Sequence, residues 1–77
     1  MYYEICVSKL RDKGQYKDQY IHYFATAKRS LTSRSEARIV LAHFVQIFPA
    51  PMYFISISKQ EEIGEGFDVQ DFLENED

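Results

Sequence analysis

One stretch of the sequence has an apolar pattern that only a helix can place on a single side. Six apolar residues recur there at the spacing i, i+3, i+4, i+7, i+8 and i+11, namely Ala37, Val40, Leu41, Phe44, Val45 and Phe48. A strand would divide these side chains between its two faces, because strand side chains alternate. The pattern therefore predicts an amphipathic helix that must bury one face against another part of the fold.

Both ends of this helix carry recognisable signals. Ser33 precedes Glu36 by three residues, which is the spacing of a capping box in which each side chain accepts from the other's free backbone N–H. Pro49 ends the helix because proline restricts the residue before it and cannot donate a backbone hydrogen bond. We predict a helix over about residues 34–48.

Three other stretches are typical of strands, because they are rich in aromatic and β-branched residues. The segment YYEICVSKL alternates and predicts a strand over residues 2–10, YIHYFATA predicts one over 19–26, and PMYFISISKQ predicts one over 52–59. A polar stretch with Gly14 near its middle joins the first two strands. These two strands are expected to form a hairpin with a long loop.

The order strand, strand, helix, strand leaves few topologies. We predict an α+β fold of ββαβ type, with a three-stranded antiparallel sheet in the order 2-1-3 and the helix packed on one face. The residues expected beneath the helix are Ile5, Val7, Ile21, Tyr23, Ile55 and Ile57. Which face of strand two is inward stays open, because both of its faces offer plausible core residues.

The opposite face of the predicted sheet would carry several large apolar residues, namely Tyr2, Cys6, His22, Phe24, Met52 and Phe54. A contiguous apolar patch on a small domain usually marks a contact surface. We therefore predict a sheet-face interface that includes Tyr2, Phe24 and Phe54.

Charge is distributed unevenly along the 77 residues, which suffice for one domain. All nine Lys and Arg lie in residues 1–59 with four acids, whereas residues 60–77 hold eight acids and no base. We predict a basic ββαβ domain over residues 1–59, followed by an acidic C-terminal segment. A basic domain followed by an acidic segment is more informative about the binding partners of a protein than about its fold.

The acidic segment also contains large apolar residues, which a solubilising tail does not need. We predict that it binds a partner through six residues, namely Phe67, Asp68, Asp71, Phe72, Leu73 and Glu74. Two alternatives are a flap over the second face of the sheet and plain disorder. Val69, Phe72 and Leu73 have helical spacing, and Asp68 is a suitable N-cap for a short helix.

The basic residues suggest a second kind of surface. Lys28, Arg29, Arg34 and Arg38 cluster before and at the start of the predicted helix, where they would contact phosphates. Eight acids on the same chain oppose such binding, and no Lys/Arg-Gly-Phe motif accompanies the aromatic residues of the sheet. The alternative interpretation is an ordinary solvated surface that attracts the acidic segment.

Little in the sequence indicates a catalytic, metal-binding or cofactor-binding site. Cys6, His22 and His43 match no zinc-ligand spacing, the serines lie in no nucleophile motif, and the three glycines form no phosphate loop. We expect no metal, no cofactor and no enzymatic activity. The sequence shows no signal-peptide pattern and no apolar run long enough to span a bilayer, so a cytoplasmic location without a membrane partner is expected.

The segment ATAKRSLTSRSEARIVLAHFVQIFPAPMYFISI, together with the strand before it, resembles a group of compact viral proteins in architecture and size. These are the ββαβ proteins that bacteriophages make to block host machinery, such as small inhibitors of bacterial RNA polymerase and several anti-CRISPR proteins. The resemblance covers residues 1–59 and includes no signature motif, so it assigns no functional residue. It implies a non-enzymatic protein that occupies a surface on a larger host complex.

Three functions follow as hypotheses. The first is a small protein-binding module, an inhibitor or adaptor, that acts through its sheet face and its acidic aromatic segment. The second is a nucleic-acid-binding protein whose acidic segment competes for its basic face. The third is a homodimeric interaction module that associates through the exposed sheet face or an edge strand.

Overall fold

The computed structural model describes residues 1–26, 31–60 and 65–75. Within them lie four strands and two helices, in the order β1 (Tyr2–Leu10), β2 (Tyr20–Ala25), α1 (Arg34–Ile47), β3 (Tyr53–Gln60), β4 (Glu65–Phe67) and α2 (Val69–Glu74). The strands form one antiparallel sheet in the order β2-β1-β3-β4. None of the helices in these ranges is long and apolar enough to cross a membrane.

The α+β class, the three predicted strands and their order 2-1-3 are confirmed, but the prediction of three strands and one helix is wrong. A fourth strand, β4, pairs with β3, and a second helix, α2, follows it directly. β4 is only three residues long and contains Gly66, so it lacks the alternating apolar run by which strands are predicted. It forms because β3 offers it a partner.

Helix α1 begins and ends as its sequence signals indicate. The Ser33 side chain caps it by accepting from the backbone N–H of Glu36 at 3.2 Å. Ala37 and Leu41 are fully buried. The backbone N–H of Phe48 donates to the carbonyl of Phe44 at 2.8 Å, and Phe48 is the C-cap before Pro49.

Helix α2 is capped by Asp68, as predicted. The Asp68 side chain accepts from the backbone N–H of Asp71 at 3.1 Å, and Asn75 closes the other end by donating its N–H to the Asp71 carbonyl. Val69, Phe72 and Leu73 lie on the inward side of this helix, and Phe72 is only 1% exposed.

The core lies between the two helices and one face of the sheet. We call this the front face; it carries Tyr3, Ile5 and Val7 of β1, all of which are buried. The main buried cluster consists of Tyr3, Ile5, Leu31, Ala37, Leu41, Ile57 and Phe72. The ring of Phe72 contacts Tyr3 and Phe67 with centroid separations of 5.6 and 5.3 Å. Residues from nearly the whole length of the chain therefore build one core.

The acidic segment covers the front face of the sheet, not the back face on which a flap was predicted. We expected Phe67, Phe72 and Leu73 to cover the second, helix-free face as one alternative, but they pack on the front face beside α1. The physical reason is that α1 covers only part of the front face. Phe72 fills the remaining space against Tyr3, where burial of a phenyl ring stabilises the fold.

The assignment of Phe24 to the opposite face is also corrected. The β1–β2 register shifts between Val7 and Ser8, so that Val7 pairs with Phe24 while Ser8 pairs with His22. This β-bulge interrupts the alternation of side chains. Phe24 consequently lies on the front face, with its ring centroid 5.4 Å from Phe44 and 5.5 Å from Phe48. Tyr23 is on the same side but remains 53% exposed.

The back face of the sheet is not a continuous apolar patch. Directly paired residues share a face, and the back-face pairs of β1 and β3 are Glu4 with Ser58, Cys6 with Ser56 and Ser8 with Phe54. Polar side chains therefore separate Phe54 from Tyr2, whereas its ring contacts that of Tyr20 on β2 with a centroid separation of 6.0 Å. Tyr2, which pairs with Gln60, lies six positions from Ser8, or about 20 Å at about 3.3 Å per residue.

Candidate functional site

The outer edge of β3 is only half covered. β4 pairs with Ile57, Ser58 and Lys59, and the chain then turns at Asp68 into α2. Among residues 1–26, 31–60 and 65–75, no strand pairs with the outer side of residues 53–56. An uncovered strand edge offers unpaired backbone groups to another chain.

The direction of these backbone groups follows from the pairing with β1. Leu10 N–H donates to the Met52 carbonyl at 2.8 Å, so Met52 faces β1. In an antiparallel strand the hydrogen-bonding direction alternates, and therefore Phe54 and Ser56 also face β1 while Tyr53 and Ile55 face outward. The N–H of Tyr53 donates to the Pro49 carbonyl at 3.1 Å. The N–H and C=O of Ile55 and the C=O of Tyr53 remain at the open edge.

An apolar groove runs along this open edge. It consists of two adjoining hollows that share Phe54, Ile55 and Val69. We define the β3-edge groove by the residues that line the two hollows: Val45, Phe48, Ala50, Tyr53, Phe54, Ile55, Ser56, Phe67, Asp68, Val69 and Gln70. The hollow between the C-terminal half of α1 and α2 has a volume of about 190 Å³ and is lined by apolar and aromatic side chains.

The floor of the groove is held in place by packed aromatic rings. The Phe48 ring centroid lies 5.0 Å from Tyr53, 5.5 Å from Phe24 and 5.7 Å from Phe44. The Lys9 ammonium lies 5.9 Å from the centroid of Tyr53 and the same distance from that of Tyr23, within cation–π range. A binding surface with such fixed side chains loses little conformational entropy when it is occupied.

Exposed apolar surface continues around the edge onto the back face. Phe54 is 57% exposed, and its ring centroid lies 6.0 Å from that of Tyr20. The Tyr20 hydroxyl donates to the Pro51 carbonyl, which fixes this ring beside the groove. Met52 is exposed in the same loop region.

The acidic segment contributes to the groove differently from the prediction. Of the six predicted partner-binding residues, Phe67 and Asp68 line the groove, Asp71 and Glu74 are exposed, Leu73 is half-buried and Phe72 belongs to the core. Phe72 reaches a partner only if α2 leaves the sheet. A partner-binding role for the other five residues stays a prediction.

The predicted basic cluster is divided by the structure. The Arg34 guanidinium lies 4.1 Å from the centroid of the Phe72 ring and 5.7 Å from that of Phe67. Arg38 Nη1 donates to the Asn75 carbonyl at 3.4 Å. Both side chains therefore hold α2 against α1. Lys28 and Arg29 lie outside the described residues.

The predicted sheet-face interface does not form a single surface. Phe54 lies at the groove, Tyr2 is near the far end of the sheet, and Phe24 packs beneath α1. Sequence reasoning missed Val45, Ile55 and Val69 as groove residues because their apolar spacing assigned them to helix and strand cores. No local signal in the sequence marks them, because the groove depends on where β4 stops pairing with β3.

The thiol of Cys6 lies in an environment that disfavours its reactive form. Cys6 Sγ donates to Glu4 Oε1 at 3.6 Å. Burial raises the pKa of the Cys6 thiol, and the nearby Glu4 carboxylate raises it further. Because the thiolate is the nucleophilic form, this environment disfavours reactivity. Over the described ranges, no group of three His, Cys, Asp or Glu residues is placed to hold a metal ion.

Comparison with known proteins gives no assignment: no family model matches the chain, and no curated protein or solved structure is significantly similar to it. The functional interpretation therefore depends on the groove itself.

Proposed function

We propose that this chain is a small, non-enzymatic protein-binding module of the inhibitor or adaptor type. Its partner contributes an extended segment that adds to the sheet beside β3. The observation that carries this proposal is the open edge of Ile55 above an apolar groove.

Strand addition uses the two kinds of contact that this edge offers. The backbone of the added segment pairs with the N–H and C=O of Ile55, and its alternating side chains enter hollows on the two faces of the sheet. Its residue opposite Ile55 points to the front, toward Val45, Phe48 and Val69. The neighbouring residues point to the back, toward the exposed ring of Phe54.

The second sheet edge, on β2, is a poorer acceptor. Its bulge increases the local twist of the strand, and edge bulges of this kind protect natural sheets from further pairing. Val45 and Phe54 of the groove and the nearby Met52 are exposed, which gives the partner apolar surface to bury.

The likeness to bacteriophage inhibitors fits this mode of action. Such a protein acts by occupying a surface on a larger complex, and pairing with one exposed strand or loop of that complex needs no chemistry. Arg34 and Arg38 support α2 in this interpretation, which weakens the hypothesis of a phosphate-binding surface at these residues.

The test is selection of binders from a random dodecapeptide display library against the intact protein, followed by measurement of their affinity for chemically synthesised variants. N-methylation of Ile55 removes the outward N–H without changing a side chain, and we expect it to weaken binding at least about tenfold, as loss of a hydrogen bond at the centre of an interface does. The peptides should also shift the backbone resonances of Tyr53, Phe54 and Ile55.

N-methylation of His22 is the matched control. His22 pairs with Ser8, a residue of β1 that faces β3, so the His22 N–H points out of the opposite sheet edge. This variant should bind the selected peptides with unchanged affinity. Failure to obtain binders, or binders whose affinity survives methylation of Ile55, would contradict the proposal.

A further inference from the structure

We infer that the segment bound at the β3-edge groove is basic, with Lys or Arg beside an apolar residue that enters the hollow between α1 and α2. This inference rests on the proposed function and specifies the chemistry of the partner. Three features carry it: the charge of the groove lining, the charge of the helix beside it and the positions of the basic residues that the structure describes.

The lining of the groove carries one formal charge, that of Asp68. Asp68 Oδ1 accepts from the Asp71 N–H at 3.1 Å, so the cap holds the carboxylate at the point where β4 ends and the open edge of β3 begins. A strand added beside Ile55 continues the line of β4. Its end therefore approaches this carboxylate.

Helix α2 extends the negative rim. Gln70 lines the groove, and its Nε2 donates to Glu74 Oε1 at 2.8 Å, which places a second carboxylate one helical turn from the lining. Asp71 is exposed on the same helix. No base balances these acids within α2, whose sequence is VQDFLE.

Two described arginines contact α2, one at its buried ring and one just beyond its C-terminal end. Arg34 lies over the Phe72 ring, and Arg38 binds the carbonyl of Asn75 beyond the end of α2. Both belong to the N-terminal half of α1, whereas the hollow between α1 and α2 uses Val45 and Phe48. Arg34 approaches the groove lining at Phe67, where its guanidinium lies 5.7 Å from the ring centroid. Lys9, which lies near Tyr53 of the groove, is held over the rings of Tyr23 and Tyr53.

The charge of the rim also favours a basic partner over a second copy of this chain. Pairing of two β3 edges would bring the two Asp68 carboxylates and the two α2 helices toward each other, and facing like charges oppose association. A segment with Lys or Arg at this position is attracted by the same carboxylates that repel a second copy of the chain.

The experiment uses the peptides selected from the random library, measured by fluorescence anisotropy in low and in physiological salt. We expect the selected sequences to be enriched in Lys and Arg next to a large apolar residue. Replacing these bases by serine should weaken binding about five- to tenfold in low salt, and replacing them by glutamate should weaken it further. The loss on replacement by serine should be smaller in physiological salt.

Matching substitutions are made in the protein at the two acids of the rim, Asp68 and Glu74. Asp68→Asn removes the charge but keeps a good N-cap, and Glu74→Gln keeps a partner for Gln70. The double variant should bind the basic peptide about as weakly as wild type binds its serine analogue. Asp18→Asn is the control, because Asp18 is exposed in the hairpin loop, and its φ of 66° suits asparagine. It should bind like wild type.

The outcomes separate this inference from the proposed function. If the selected peptides are neutral or acidic and their binding depends on the Ile55 N–H, the inference of a basic partner is wrong. The proposal that the edge of β3 is the binding site would still stand. An unchanged affinity of the double variant for the basic peptide would lead to the same conclusion. Absence of any peptide that depends on Ile55 would overturn both, as would sedimentation as a dimer that N-methylation of Ile55 dissociates, since this result assigns the edge to a second copy.

Discussion

A chain that ends at Gln60 is expected to be unfolded in native buffer. It lacks β4 and α2, and with them the ring of Phe72, which lies between Tyr3 and Arg34 in the core. Removing these elements exposes Tyr3 and Ile57 to water and leaves a chain of a size at which a single core is already marginal. Circular dichroism and the dispersion of amide resonances measure the outcome.

A chain that ends at Asn75 is the matched control for this truncation. It keeps every residue of β4 and α2, including the capping contact of Asn75 with Asp71. We expect a dispersed spectrum like that of the full chain. A well-dispersed spectrum from the chain that ends at Gln60 would show instead that residues 61–77 are a separable tail.

The substitution Phe72→Ala is expected to destabilise the protein by about 3–5 kcal/mol, the usual cost of truncating a fully buried phenylalanine. Phe72 is 1% exposed and contacts Tyr3, Phe67 and the Arg34 guanidinium. The free energy of unfolding of a domain this size is about 4–12 kcal/mol, at about 0.05–0.15 kcal/mol per residue. Much of the total stability should therefore be lost, as measured by urea denaturation.

Gln70→Ala is the control on the same helix, because Gln70 is exposed. Its side chain donates only to Glu74, so its loss should change the free energy of unfolding by less than about 0.5 kcal/mol. Equal and small effects of the two substitutions would mean that α2 is not packed against the sheet.

The arrangement of α2 explains why large apolar residues occur among the acids of the C-terminal segment. Val69, Phe72 and Leu73 pack inward, while Asp68, Asp71 and Glu74 remain at the surface. The segment is a structural element with one apolar and one acidic side. Asp68 is thereby placed beside the open edge of β3, and Glu74 is connected to the groove lining through Gln70.

Local signals in the sequence were sufficient for the elements that depend on neighbouring residues. The bounds of β1 were predicted as Tyr2–Leu10, and both helix caps, Ser33 and Asp68, were identified from their side-chain chemistry. These features are governed by alternation, spacing and capping, each of which acts over a few residues.

The features that the sequence did not predict depend on distant parts of the chain. β4 is three residues long and is stabilised by β3, and Phe24 lies beneath α1 because a bulge in the pairing with β1 reverses its direction. Phe72 packs on the front face because α1 leaves space there. The predicted sheet-face patch was wrong in part because Ser8, Ser56 and Ser58 occupy the same face.

The open edge could not be predicted because it arises from a mismatch between two elements. β3 is eight residues long, β4 pairs with only three of them, and the turn at Asp68 decides where pairing stops. The side chain of Ile55 is that of any core strand residue. Its position beyond the end of β4 is what distinguishes it, and the binding role proposed for it depends on that position.

Amide hydrogen exchange, followed by NMR on the intact chain, tests the central claim most directly. Ile55 and Ile57 both direct their N–H toward the outer edge of β3, but only Ile57 lies opposite a residue of β4. The Ile57 amide should exchange at a rate near that of global unfolding, and the Ile55 amide at least about 100-fold faster. Equal rates would contradict the account: if both were fast, β4 would not pair with β3, and if both were slow, the edge would already be covered.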